Sequence, residues 1–210
     1  MTKTFLHVGC GNMTKEFTTP AFNTNEWKEV RADIDEAVKP DIVTSMTDMS
    51  TIKDKSYDAI YSSHNIEHLY AHEVPTAIRE FSRVLKEDGF LIITCPDLKS
   101  VCNQVSSGNL TGVLYESAAG PICAIDILYG LRPAIAIGNH YMAHKVGFTA
   151  DVLKDTLTQF GFQRAIVAAV PARYVLWGIA TKKEKVDSLE LFEILKTHTD
   201  LLKETKVSNQ

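Results

Sequence analysis

Apolar residues along the chain fall into short runs of buried-strand type separated by polar turns, with stretches of helical spacing between some of them. Phe5, Leu6 and Val8 form the first run, which leads into Gly9-Cys10-Gly11, the punctuation of a strand ending in a tight turn. Thr14 to Glu26 is polar and interrupted by Pro20, so any helix there is short or irregular. Trp27 to Asp35 carries Val30 and Ala32 ahead of Asp33-Ile34-Asp35 and reads as a second strand. Lys39-Pro40-Asp41 is a turn. Ile42-Val43 starts a short third strand that runs out at Thr47-Asp48-Met49, and Ser56 to Tyr61 reads as a fourth, ending on Ser62-Ser63.

Glu73 to Lys86 is the clearest helix: Val74, Ala77, Ile78, Phe81, Val84 and Leu85 recur at helical spacing, and Pro75 sits in the first turn. Asp88-Gly89 is expected to end it, and Phe90 to Thr94 reads as a fully buried strand closed by Cys95-Pro96-Asp97. From Leu98 to His144 periodicity fades among scattered glycines and prolines, the pattern either of a functional lid or of a surface insertion with short helices. Thr149 then N-caps a helix through Phe160, ended by Gly161. Phe162 to Val170 and Arg173 to Thr181, around Pro171-Ala172, predict an antiparallel hairpin. Asp187 to Leu202 predicts a terminal amphipathic helix, and the polar end from Lys203 to Gln210 reads as frayed.

At 210 residues the chain suits one domain with a substantial core. Its 45% hydrophobic and 23% charged residues are ordinary for a globular protein. A net charge of -4, without a Lys/Arg run, argues against a nucleic-acid surface. Cys10, Cys95, Cys102 and Cys123 show neither a CxxC pair nor a disulfide framework, which favours reduced thiols. With neither a secretory signal nor an apolar run long enough to span a bilayer, the expectation is a cytoplasmic protein.

The candidate chemistry begins at the first glycine turn. A strand of this kind, near the start of an α/β sheet, holds nucleotide-like ligands at its carboxyl end. Asp33 follows at the distance where a carboxylate on the second strand accepts hydrogen bonds from ribose hydroxyls, although Asp33 or Asp35 could equally cap a helix. His64-Asn65-Ile66-Glu67-His68 matches the inverted zinc-peptidase pattern H-x-x-E-H, but no third ligand is evident and no metal is expected. Cys10 is either a thiol activated by backbone amides or a small packing residue. His140, Tyr141 and His144 lie where a lid would return to the sheet, in an orienting, basic or purely structural role.

The strings HVGCGNM, ADID, TDM, SYDAIYSSHNIEHL and EFSRVLKEDGFLIITCPDL together resemble the class I S-adenosylmethionine-dependent methyltransferases, in particular the type 11 branch of predicted small-molecule enzymes. The resemblance covers residues 4 to 97 well, and MAHKVGFTADVLKDTLTQFGF resembles the helix before that branch's terminal hairpin. It implies an α/β, Rossmann-like, seven-stranded and mostly parallel sheet with an antiparallel C-terminal hairpin. Residues 1–210 would form one domain, with 98–144 as a lid or acceptor-pocket insertion and 187–210 as a C-terminal helix and tail.

Carried over by position, the resemblance places Gly9, Cys10 and Gly11 beside the methionine part of S-adenosyl-L-methionine and Asp33 on the ribose. Ile34 would pack on the adenine, Asp48 and Met49 would meet its edge, and Ser63 and His64 would border the methyl group. The implied reaction is methyl transfer to a small-molecule acceptor, with His64, His68 and His144 as candidate proton acceptors. Two positions depart from the family: His7 replaces its acidic residue and Met13 its third glycine. These departures keep a non-catalytic partner protein as an alternative. A nicotinamide-dependent oxidoreductase is the other, though Thr14 stands where its last glycine belongs.

Overall fold

The computed structural model describes residues 2–202, so the polar end expected to fray lies outside the described residues. The chain runs β1 (Lys3–Val8), β2 (Trp27–Asp33), β3 (Ile42–Val43), β4 (Tyr57–Ser63), α1 (Val74–Val84) and β5 (Leu85–Pro96). An insertion follows, built from α2 (Leu98–Ser106), a hairpin of β6 (Val113–Ser117) and β7 (Gly120–Cys123), α3 (Ala124–Tyr129) and α4 (Arg132–Ala136). The last part comprises α5 (Ala150–Phe160), β8 (Arg164–Val170), β9 (Val175–Thr181) and α6 (Ser188–His198).

Seven strands form one sheet in the order β3-β2-β1-β4-β5-β9-β8. The first five are parallel, and β9 runs antiparallel between β5 and β8, as the terminal hairpin predicts. The fold is therefore the α/β, Rossmann-like one expected. Strand alternation divides the core in two. Leu6, Ile60, Leu91 and Ile93 face α1 and α5. Phe5, Ala59, Tyr61 and Ile92 face α6 and the loop that carries Phe22 and Trp27. The links β1–β2, β2–β3 and β3–β4 contain no α-helix, only short turns, as the polar segment with Pro20 foretells.

Two local expectations are corrected, and residues 98–144 contain the short helices that one of their two readings expected. The helix α1 stops at Val84 rather than at Asp88-Gly89, because buried Leu85 turns directly into β5. Residues 86–89 bulge out between the pairs Tyr57–Leu85 and Ala59–Phe90, with Lys86 Nζ held 2.7 Å from Asp58 Oδ1. Thr149 occupies the N-cap position of α5 with an extended backbone, but its hydroxyl makes no capping hydrogen bond. Residues 98–144 are not without regular structure: their helices and hairpin enclose a small core of Val101, Ile122, Ala124 and Ile127.

On the far face, His198 at the end of α6 is 2% exposed against the Phe22 and Phe90 rings, its Nδ1 2.8 Å from Thr19 Oγ1. Burial pushes its pKa down from 6.5 to about 4, so the folded protein holds it neutral. Below its unfolded pKa the unfolded chain binds the extra proton, so stability is fully present above that value and is lost as pH falls toward the folded one. Between pH 7 and pH 5 this one group should cost about 2 kcal/mol. Urea midpoints at the two pH values should fall markedly less in His198→Gln than in the wild type. Equal falls would place the acid sensitivity elsewhere.

Candidate functional site

The site forms at the carboxyl ends of β1, β2 and β4. Gly9 and Gly11 both have positive φ, +65° and +51°, which carries the chain sharply away from β1. Gly9 is further constrained by a neighbour: a Cβ there would lie 2.1 Å from Asn65 Oδ1. The Asn65 amide group donates to Val8 O at 2.9 Å and Ser63 O at 3.0 Å, clasping the ends of β1 and β4 together. Beside Gly11 the space where a Cβ would stand is open.

Asp33 faces this turn from the end of β2. Its Oδ2 accepts from Gly11 N at 2.8 Å and its Oδ1 from Asp35 N at 2.9 Å. A carboxylate offers about four lone-pair sites, so two remain for ligand hydroxyls. Asp33 thus orders the loop and keeps acceptor sites open, and it caps no helix. Asp35 caps the next turn, accepting from Ala37 N at 2.9 Å. Ile34 is 50% exposed and Met13 52%, so two apolar side chains stand uncovered at the mouth of the loop. An open glycine turn, a carboxylate with free acceptor sites and uncovered apolar flanks suit a nucleoside-type ligand.

Arg31, which the sequence alone did not single out, staples the loop. Its Nη2 donates to Gly11 O at 2.6 Å and Val38 O at 3.3 Å, its Nε to Met13 O at 3.0 Å, and its Nη1 to Lys39 O at 3.0 Å. The substitution at His7 is also accommodated: Glu29 on β2 lies 2.7 Å from His7 Nδ1 and accepts from Lys15 N at 2.9 Å. A carboxylate is therefore supplied from the neighbouring strand, and Met13 projects outward instead of crowding the turn.

One candidate is corrected, and of the two readings of Cys10 the packing one holds. Met49 cannot offer its side chain to a ligand: it is fully buried in the core, and its amide donates to Glu80 Oε2 at 2.8 Å. Cys10 is buried, and burial pushes its thiol up to about 11, so it is a packing residue rather than an activated nucleophile. Asp48 is exposed, its carboxylate held below the usual range by hydrogen bonds from Ser50.

On the other side of the β4 end, Ser63 Oγ lies 2.7 Å from Thr94 Oγ1 and His64 N donates to Thr94 O at 2.9 Å, with His64 in a left-handed conformation at φ +54°. Ile66–His68 is a single 3-10 turn that carries Glu67 inward to 1% exposure. Lys145 N and Val146 N both donate to the Glu67 backbone carbonyl, at 2.8 and 3.3 Å, and so bring the segment after the insertion against this turn. Gly130 makes the approach possible: at φ +97°, a Cβ would lie 1.9 Å from Met142 O. His144 then stands beside His68, with ring centroids 4.9 Å apart.

His64, Glu67, His68 and His144 together line a cavity of about 440 Å³ whose opposite wall includes Tyr115, Tyr174 and Trp177. Glu67 and His144 also border a smaller cavity of about 230 Å³ beneath α2 and α3. The larger one is lined by Ser63 and His64 at the carboxyl end of β4. Burial raises the Glu67 carboxyl, but the facing His64 and His68 imidazoles more than offset this, leaving it below the usual range. Burial lowers the pKa of His144. Its Nδ1 lies 2.7 Å from Ile127 O, which can only accept, so in the neutral ring Nε2 carries the lone pair.

This fold, with its glycine turn and its carboxylate on the second strand, is Rossmann-like and of the kind found in solved methyltransferases. Residues 6–93 match the family model of a methyltransferase domain. No curated protein matches the chain. Among solved structures, the PH0226 protein of Pyrococcus horikoshii aligns with a TM-score of 0.56 at 14% identity, over 87% of this chain and 83% of that one. A SAM-dependent methyltransferase from Archaeoglobus fulgidus aligns at 0.54 and 15% identity, over 85% of this chain and 86% of that one. The 1,6-didemethyltoxoflavin-N1-methyltransferase of Burkholderia thailandensis, solved with its namesake compound and S-adenosylhomocysteine, gives 0.54 and 12%, over 87% and 72%. At these identities the structural likeness establishes the fold.

Because Arg31 preorganises the cofactor loop through charge-assisted hydrogen bonds worth about 1.5–3 kcal/mol each, and lysine lacks the planar fork, Arg31→Lys should weaken S-adenosylmethionine binding by roughly 10- to 100-fold. Isothermal titration with a thermal melt as folding control measures this. Unchanged affinity would mean that the loop is ordered without the staple.

Proposed function

We propose that this protein transfers the methyl group of S-adenosylmethionine to a small acceptor seated in the cavity between the sheet edge and residues 98–144. The observation that carries the reading is the adjacency of that cavity, with its ionisable lining, to the end of β4 where the cofactor loop is clasped. The insertion is then the acceptor-binding part of the domain. The cofactor's sulfonium supplies an activated methyl group when bound.

The chain's own residues do the rest. Gly9 to Gly11 let the backbone approach the methionine part, Asp33 accepts from the ribose hydroxyls, and Ile34 covers the adenine. Ser63 and His64 border the transfer path, and the aromatic wall of Tyr115, Tyr174 and Trp177 excludes water and orients the acceptor. Such positioning contributes up to roughly 7–11 kcal/mol of barrier lowering when the reacting atoms are well aligned. His144 Nε2 is a base held neutral by burial, and Glu67 stabilises positive charge on the imidazoles around it.

Titration with S-adenosylmethionine and with NADH tests the cofactor assignment, and S-adenosylhomocysteine release with amine, hydroxyl and carboxylate acceptors tests the reaction. Binding of S-adenosylmethionine alone is expected. Asp33→Asn keeps one acceptor oxygen for the loop but loses the charge that strengthens both ribose bonds, so affinity should fall about 10-fold to several hundred-fold. Asp35→Ala, which removes only a turn cap, should cost far less. A protein that binds neither nucleotide would be a scaffold of this fold rather than an enzyme.

A further inference from the structure

We propose that Glu67, His68 and His144 form a binding site for one divalent transition-metal ion of the zinc type, open on its fourth side to the acceptor cavity. The three residues each bring a donor atom within 4.8 Å of the others. A cluster of this size is not in itself a site. What distinguishes this one is the state of each donor.

Glu67 is 1% exposed, yet neither carboxylate oxygen receives a hydrogen bond, and its nearest charged neighbour is His64 Nδ1 at 3.3 Å. A buried carboxylate with one imidazole beside it and no hydrogen bond to either oxygen is still under-satisfied, and such groups are ordinarily fully hydrogen-bonded or ligate a cation. Both imidazoles are oriented as ligating histidines are. His68 Nδ1 lies 3.1 Å from Ala143 O, and His144 Nδ1 lies 2.7 Å from Ile127 O. Each carbonyl can only accept, so each Nδ1 carries the proton and each Nε2 presents its lone pair. This outer hydrogen bond to a carbonyl is the arrangement that fixes tautomer and ring direction at metal centres.

Two imidazoles and one carboxylate suit zinc, and three protein donors with an open fourth position is the pattern of a site that binds a substrate or water. Bonds of about 2.0–2.2 Å place donors roughly 3.3 Å apart around a tetrahedral ion, so the cluster closes by side-chain adjustment of up to about 1.5 Å. The sequence argued against a metal for want of a third ligand. The fold supplies it in His144, delivered by the Gly130 contact. The three donors also line the cavity, so the inference changes the proposed reaction at one point: with the ion bound, His144 Nε2 and Glu67 are ligands rather than base and charge stabiliser, and the acceptor would carry an oxygen or nitrogen that ligates the ion.

The test uses the whole protein, stripped with a chelator, and cobalt(II) as a spectroscopic stand-in for zinc. One equivalent should bind and give the intense visible absorption of a tetrahedral nitrogen- and oxygen-ligated ion, displaced stoichiometrically by zinc. Glu67→Gln and His144→Gln should each lower zinc affinity by on the order of 100-fold, while His72→Gln, on an exposed ring outside the cluster, should leave it unchanged. Absence of a stoichiometric complex in the wild type, which needs no variant to fold, would overturn the site, as would binding that survives both substitutions in folded proteins. These readouts involve neither cofactor nor acceptor. A protein that binds S-adenosylmethionine but not cobalt refutes the metal alone; one that binds cobalt but not S-adenosylmethionine refutes the methyltransferase reading.

Discussion

The carboxamide of Asn65 lying against the bare Cα of Gly9 is the contact on which the functional edge of this molecule depends. A parallel sheet leaves the carboxyl ends of neighbouring strands to diverge into separate loops. Here one side chain, buried under a glycine that has no room for a Cβ, binds the carbonyls of Val8 and Ser63 and holds two such ends together. The consequences run in both directions. Toward β2, the turn is free to reach Asp33 and Arg31. Toward β5, the backbone after Ser63 is forced through a left-handed His64 into the short turn that buries Glu67.

The economy of the β1 to β4 connections reinforces that dependence. In an α/β sheet of this kind, crossover helices usually brace the strand ends. This chain has none before α1. The bracing falls to polar side chains acting on backbone: Arg31 on four carbonyls, Glu29 on His7 and Lys15, and Asp33 on two amides. The uncovered face is closed instead by the aromatic group of Phe5, Phe22 and Trp27 beneath α6, in which Phe5 and Phe22 stack at 4.3 Å. His198 is buried as part of that closure.

Most of the sheet was legible because its signals are local. A run such as Phe90 to Thr94, apolar on both faces, can hardly be anything but a central strand, and Pro171 between two β-rich runs marks the hairpin. The insertion was not legible, for an equally physical reason. Its helices are short, and they bury Val101, Ala124 and Ile127 mainly against one another, so no face long enough to set a period exists in any of them. Within the site, Gly9, Gly11 and Asp33 carry a spacing that sequence can show. Arg31 does not, since a surface-strand arginine and a loop staple look alike in one dimension. Met49 misleads because its place in a motif says nothing about which way its side chain turns.

The two halves of the site are built on different principles, and the end of β4 belongs to both. The glycine-turn side is satisfied internally: Asp33, Arg31 and Glu29 all have backbone partners there, and what it exposes is apolar surface and spare acceptor sites. The cavity side is less satisfied: the Glu67 carboxylate has only the His64 ring beside it, at 3.3 Å, and among the described residues Trp177 Nε1 is buried without a hydrogen-bond partner. Unmet polar groups in a closed cavity raise the free energy of the empty protein, and a ligand that meets them recovers that cost on binding. In the proposed reaction, discrimination among acceptors would rest on this side, where a molecule lacking a group for the Glu67 cluster or for the indole N–H would leave it stranded. A hydrophobic pocket of the same volume would separate acceptors by size alone, and far less sharply.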